Sequence, residues 1–152
     1  MAMFTVNSIM IKTHMASILL AGLMVAAQPT FAGETPSPDG AKLYFINLQD
    51  GATVKSPFRV QFGLSGMGVA PAGTEKEKTG HHHLLIDTAL AGEAFNEPIP
   101  MDDRHKHFGG GQTETMVTLA PGKHTLQLLL GDWTHIPHKP PVMSEKISVT
   151  VE

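Results

Sequence analysis

This chain of 152 residues has no cysteine and a formal net charge of −3, from 11 basic and 14 acidic side chains with its nine histidines taken as neutral. Zero cysteines exclude disulfide stapling and every thiolate metal site, so any bound metal must find nitrogen, oxygen or thioether ligands. The mild acidity argues against nucleic acid or an anionic membrane surface as a partner.

The chain opens on a targeting pattern. Lys12 precedes an apolar run from Met15 to Ala27, and Thr30-Phe31-Ala32 closes it, which predicts a signal peptide over residues 1–32 cleaved after Ala32. The run is about a dozen residues, short of the roughly 20 that a membrane-spanning helix needs, so no membrane insertion is expected after cleavage. Met10-Ile11-Lys12 would open a more ordinary leader than the nine residues before it. Export implies a periplasmic or secreted location. Taking 32 residues from 152 leaves 120, and with Lys12 the one charged side chain lost, the mature net charge becomes −4. That length suits a single domain, expected at 41–152 behind a flexible linker at 33–40.

Beyond residue 40 the apolar residues alternate and the punctuation is Gly and Pro, a pattern that predicts an all-β fold without helices. The first strand is expected over 42–48, closed by the turn at Asp50-Gly51. In "PFRVQFGL" Phe58, Val60, Phe62 and Leu64 share one face while Arg59 and Gln61 take the other, the signature of a half-buried strand. Residues 66–80 read as a loop whose "EKEK" is a solvated face. Strands follow at 82–87, 115–119, 124–130 and 146–151. The stretch from 88 to 113 is too long for a plain connection, so it carries a function or a short strand of unassigned position. This count of short strands predicts an immunoglobulin- or fibronectin-III-like antiparallel β-sandwich. Phe58, Val60, Phe62, Leu84, Ile86, Leu126, Leu128, Leu130, Ile147 and Val149 are expected to face its interior. "LAPGKHTLQL" resembles the corner before the sixth strand of such domains, with His124 where tyrosine usually stands, so His124 is read as a local structural bond rather than a ligand.

The remaining histidines beyond the export segment, which carries His14, fall in three remote stretches: His81 to His83, His105 with His107, and His135 with His138. In a strand, residues i and i+2 share a face, so His81 and His83 can aim together while His82 joins Leu84 and Ile86 in the core. "HKH" at 105–107 repeats that spacing, and Gly109-Gly110-Gly111 behind it permits close backbone approach. Pro137, Pro140 and Pro141 stiffen the loop of the third pair. In the sandwich topology these stretches gather at one rim. His81, His83, His107 and His135 are expected in one coordination sphere, with His105 and His138 as alternates or outer ligands. Neutral imidazoles in that number suit copper or zinc, with affinity falling below the histidine range near pH 6.5. Asp102, Asp103, Glu114 and Asp132 are the carboxylates available to orient such ligands. Five of the nine methionines lie in the export segment and Met67, Met101, Met116 and Met143 show no close spacing, which gives no support to a thioether-rich carrier.

The function expected from these residues is an exported metal-binding domain with a carrier or sequestration role. The metal ion is its first partner and an exported or membrane protein a second. The main alternative is a metal-free binding module that holds a protein or glycan through Trp133 and the rim loops. A zinc hydrolase, with Glu114 or Asp103 as base, is weaker, since no nucleophile elbow, phosphate loop or cofactor fingerprint is present.

"GHHHLLID", "DDRHKHFGGGQTE", "LAPGKHTLQLLLGDWTHIPHKPPV" and "SEKISVTV" together resemble the exported bacterial family known as domain of unknown function 4399, over nearly all of the mature chain. The resemblance implies a compact extracytoplasmic β-domain and marks the same histidine motifs as the family signature, without assigning an activity. A looser similarity is to small periplasmic copper carriers, which are also cysteine-free β-sandwiches with histidine sites. Several of those use an N-terminal histidine, and here the expected mature N-terminus is Gly33.

Overall fold

A computed structural model describes residues 35–152 of the chain. The expected leader at 1–32 lies outside the described residues. Nine strands form two layers: β1 (Lys42–Phe45), β2 (Ala52–Val54), β3 (Phe58–Ser65), β4 (Gly68–Val69), β5 (Thr79–Ile86), β6 (His105–His107), β7 (Glu114–Val117), β8 (Gly122–Gly131) and β9 (Ile147–Val151). One sheet runs β1-β3-β7, and the other runs β2-β9-β8-β5-β4 with β6 also paired to β5. The order places β1, β3 and β7 opposite β9, β8 and β5, as strands A, B and E oppose G, F and C in immunoglobulin domains. Pairing is antiparallel except at two short places, β2 on β9 and β4 on β5, which run parallel. No helix among the described residues is long and apolar enough to cross a membrane.

The alternating residues of β3, β5, β8 and β9 meet between the layers. All ten side chains expected inside belong to one buried cluster, joined by Leu43, Leu48, Phe108, Val117, Val142 and Val151. Each large apolar side chain withdrawn from water contributes roughly 1.5–3 kcal/mol before entropy is counted, so this cluster dominates the stability of the fold. His82 points into it, fully buried, with its ring 5.2 Å from that of Phe62. Burial pushes His82 down to about 4, against a small opposing effect from the backbone of Gln112, so the ring packs as a neutral aromatic.

The second sheet is covered on its outer face as well. Leu85 of β5 and Leu129 of β8 point away from the main core and pack with Leu90 and Ile99, with Phe95 and Met143 against them. The segment after β5 supplies this cover. It makes a short 3-10 helix at Gly92–Asn96 and returns as β6, which pairs antiparallel with β5 so that His107 lies opposite His83 and His105 opposite Leu85. The long stretch expected at 88–113 thus contains a strand of three residues, too short to show alternation. Residues 35–37, in the segment expected as a linker, lie along Lys139: the Ser37 N–H donates to the Lys139 carbonyl and the Lys139 N–H to that of Thr35, both at 3.0 Å.

His124 closes the corner as expected from the immunoglobulin pattern. Its Nε2 lies 2.9 Å from the carbonyl oxygen of Ala120 and its Nδ1 lies 2.7 Å from Oδ2 of Asp87. Both partners only accept, so both ring nitrogens donate and the charged form is favoured. The bond to Asp87 is the main cause that raises His124 above its ordinary value. At Asp87 burial opposes ionisation, but the bonds from His124 and from the Thr125 N–H hold the carboxyl below its ordinary 3.8. The stabilisation from His124 is complete below its unfolded value of 6.5 and is lost as pH rises through the raised folded one. That from Asp87 is present above 3.8 and is lost as pH falls through the depressed value. Asp87→Asn, which tolerates the left-handed backbone found there (φ 54°), should therefore lower the melting temperature most between about pH 4 and 6.5. The gap to wild type should close toward pH 9, and thermal melts across that range would show a constant gap if the pair were not ionic.

Candidate metal centre

The pleat of β5 sends His81 and His83 to the outer face of the six-stranded sheet, the face that carries Leu85. Opposite residues of an antiparallel pair share a face, so the β5–β6 register brings His107 beside His83. The fourth ring, His135, comes from the loop after β8. Ring centroids lie 4.9 Å apart for His81 and His83, 5.0 Å for His81 and His107, 5.0 Å for His81 and His135, and 4.8 Å for His107 and His135. His81, His107 and His135 each offer a ring nitrogen within 4.8 Å of the others. Nε2 of His83 lies 3.1 Å from Nε2 of His81. Two donors bound to one tetrahedral ion at about 2.0–2.1 Å stand about 3.3 Å apart, so that spacing suits a shared ion.

The cluster lies on a sheet face rather than at the loop rim expected from the topology, because the i, i+2 pair points where the pleat sends it. His81 and His83 form its buried floor, while His107 and His135 are half-buried at its mouth. His105 faces the same way one register step along but is held by Asp102, with Nδ1 2.9 Å from Oδ1. His138 is fully buried with both ring nitrogens unpartnered; the backbone of Thr35, Pro36 and Thr79 lies near it without hydrogen-bond geometry. Among the described residues the ring contacts join the other four histidines and include neither His105 nor His138.

The electrostatics favour neutral rings. Burial first, and then the neighbouring histidines, push His81 down to about 4 and His83 down to about 2. Burial and then His135 also lower His107. Neutral rings keep a lone pair for a metal, and these rings leave nitrogens unused: His81 Nδ1, His83 Nδ1 and His107 Nε2 are buried without a hydrogen-bond partner. Buried polar atoms are rarely left so. Each ring gives one nitrogen to an ion, so the facing Nε2 atoms of His81 and His83 and the idle Nε2 of His107 are the donors an ion would take, while Nδ1 of His81 and His83 points elsewhere. The donor set therefore fits a cation that accepts nitrogen.

The expected carboxylates play other parts. Asp103 pairs with Lys106, and Glu114 with Arg59 and Gln61, so neither is oriented as a base for the cluster. Asp132 is 1% exposed and builds the loop that presents His135. Its Oδ1 accepts from the Thr134 N–H at 2.8 Å, the Thr134 hydroxyl at 2.7 Å and the Ile136 N–H at 3.0 Å, and its Oδ2 accepts from the Thr35 hydroxyl at 2.6 Å. Burial alone would raise this carboxyl, but those bonds hold it below its ordinary 3.8. The turn leaves His135 at φ 71°, a left-handed conformation uncommon for a residue with a side chain. Sequence reasoning named Asp132 only as a possible ring partner and missed its grip on the backbone. The run Asp132-Trp133-Thr134 was the available signal, since an aspartate followed two residues on by threonine favours such a turn.

Residues 60–152 match the family described as Domain of unknown function (DUF4399), and the chain belongs to that family. No curated protein and no solved structure matches it.

Replacing Asp132 by alanine removes a charged acceptor and strands four buried or half-buried donors. Unfolding free energy should fall by on the order of 3 kcal/mol, with the loss read by denaturant titration. A change below about 0.5 kcal/mol would mean that the loop is held by other contacts.

Proposed function

We propose that this member of the domain of unknown function 4399 family holds one copper or zinc ion through His81, His83, His107 and His135, in a carrier or sequestration role outside the cytoplasm. The observation that carries the reading is the convergence of four imidazoles on one space, with Nε2 of His81 and His83 3.1 Å apart and Nε2 of His107 buried without a partner. Catalytic zinc sites of three histidines keep a fourth position open for water. Here His83 lies beside His81, Nε2 to Nε2 at 3.1 Å, and a fourth imidazole taken up as a ligand would favour holding an ion over hydrolysis. Copper is favoured over zinc because a thiol-free, all-nitrogen set suits Cu(II), which also heads the divalent affinity order. The buried carboxylate of Asp132 acts on His81 across the site and supplies a negative charge near a bound cation. The export signal of the sequence supports a periplasmic or secreted location, where the ion would pass to or from an exported or membrane protein. The half-exposed His107 and His135 give that exchange its route.

Titration of the purified protein with Cu(II) and with Zn(II) tests the reading, by calorimetry and by the fluorescence of Trp133, the one tryptophan, two residues from His135. One ion should bind with micromolar or tighter affinity. His81→Ala with His83→Ala should abolish binding, and His135→Asn, which keeps a residue tolerant of the left-handed turn, should weaken it while leaving the fold intact. Protons compete with the metal for each ring. Because burial has lowered that competition at His81, His83 and His107, binding should survive mild acid and fall away toward pH 4, not near 6.5. Affinity weaker than about millimolar, or unchanged in the variants, would turn the reading to a metal-free module with Trp133, 37% exposed on the same loop, as its contact.

A further inference from the structure

Three glycines, Gly80 and Gly131 in the second sheet and Gly109 just after β6, stand against histidine rings, and none of the three sits in the left-handed backbone region. Their own conformations would therefore accept a side chain, so the reason for glycine must lie in what surrounds each one. At Gly80 an added Cβ would come 2.6 Å from the carbonyl oxygen of Gly131 and 2.8 Å from Cγ of Leu130. Those are contacts with backbone and core, and glycine there serves the packing of the sheet. At Gly131 the added Cβ would come 2.9 Å from Nε2 and 3.2 Å from Cδ2 of His83. At Gly109 it would overlap Cε1 of His107 and come 2.6 Å from Nε2 and 3.3 Å from Nδ1 of the same ring. Its three nearest neighbours are all atoms of one imidazole. The backbone tie of Gly109, whose carbonyl accepts the Ala72 N–H at 2.9 Å, does not depend on the absence of a side chain.

From this geometry we infer that Gly109 and Gly131 are positioning residues of the metal centre, leaving the space in which the rings of His107 and His83 turn toward His81 and His135. The inference rests on reading the cluster as a metal centre and adds the residues that set its ring geometry. Gly109 acts at the mouth, where the ring it admits is half-buried and free to swing outward if crowded. Gly131 acts at the floor, directly opposite His81 in the β5–β8 register, where a crowded His83 has little space to move. The two positions therefore differ in consequence: alanine at 109 displaces a ligand and spares the fold, whereas alanine at 131 disturbs both.

The test compares Gly109→Ala, His107→Ala and the double variant in the intact protein. Gly109→Ala should leave the melting temperature of the metal-free protein near wild type and weaken Cu(II) affinity roughly 10- to 100-fold, the range typical when a residue behind the ligands is altered. The paramagnetic resonance spectrum of bound Cu(II) should report fewer coordinating nitrogens, a signature that a merely structural glycine would not move. In the double variant the affinity should equal that of His107→Ala alone, because Gly109 acts through that ring. If Gly109→Ala lowers the melting temperature, adding His107→Ala should restore it; failure to do so would place the collision elsewhere and overturn the inference. Wild-type binding that Gly109→Ala leaves unchanged would overturn the inference alone. A wild type that takes up neither copper nor zinc would overturn the metal reading and this inference with it.

Discussion

Strand β5 is buried on both faces, and its alternation assigns each side chain to one of two layers. His82, Leu84 and Ile86 face the main core, and His81, His83 and Leu85 face the cover made by residues 88–107 and the loop after β8. Because the side-chain period is two, a slip of one residue against β8 would exchange the two sets. His81 and His83 would then enter the apolar core, and Leu84 would stand among the rings. The hydrophobic demand for Leu84 and Ile86 opposite Leu128 and Leu126 therefore fixes the register, and the register places the histidines. Packing energy secures the chemistry without touching it.

The same logic governs the two rings that come from outside β5. His107 reaches the cluster only because β6 pairs with the free edge of β5, and β6 is short enough to need help. Asp102 supplies it: Oδ1 accepts from the backbone of Arg104 and His105 and from the His105 ring, which shapes the turn into the strand. Phe108 then plugs into the main core beside Phe62, with ring centroids 4.8 Å apart. The strand is thus anchored before its start by Asp102, which bonds the His105 ring, and after its end by Phe108, which follows His107. His135 is held in turn by the buried carboxylate of Asp132. At each of the two arms a carboxylate shapes the backbone, and none bonds a ring of the four.

The long strands were legible because their alternation is strong. Phe58 to Phe62 and Leu126 to Leu130 each repeat the apolar face three times, enough to give strand, face and core membership without any partner. The strands of two and three residues, β2, β4 and β6, were not legible, since so few residues carry no period and their pairing is dictated by the neighbours they lie against. For the cluster, spacing could nominate pairs of histidines but not say where they meet. Placing the meeting point at a loop rim followed from connection geography; the pleat of β5 and the edge position of β6 put it on a sheet face instead. Gly109 was read as allowing close approach, but only side-chain geometry identifies the neighbour as the ring of His107. Gly80 and Gly131 carried no signal, because a glycine in a strand looks alike whether it admits a ring, a carbonyl or nothing.

An apolar layer over β5 and β8 would be the more stable solution for the fold alone. Leu85, Leu129 and Ile99 already show how that layer can be built, and each buried imidazole nitrogen without a partner costs roughly 1–3 kcal/mol relative to a satisfied one. With His81 Nδ1, His83 Nδ1 and His107 Nε2 all in that condition, the metal-free domain carries a local deficit that its leucines must offset. A cation bound to the folded state alone would offset part of it through ligation to one nitrogen of each ring, and stability would then rise with the logarithm of free metal. Burial first, and then the neighbouring rings, also oppose a proton on His81 and His83. Protonation of those two rings is therefore disfavoured as a way to satisfy them. Burial that disfavours protons, rings turned toward one another and a hydrogen-bonded anion behind the loop are together the features on which the proposed metal centre rests.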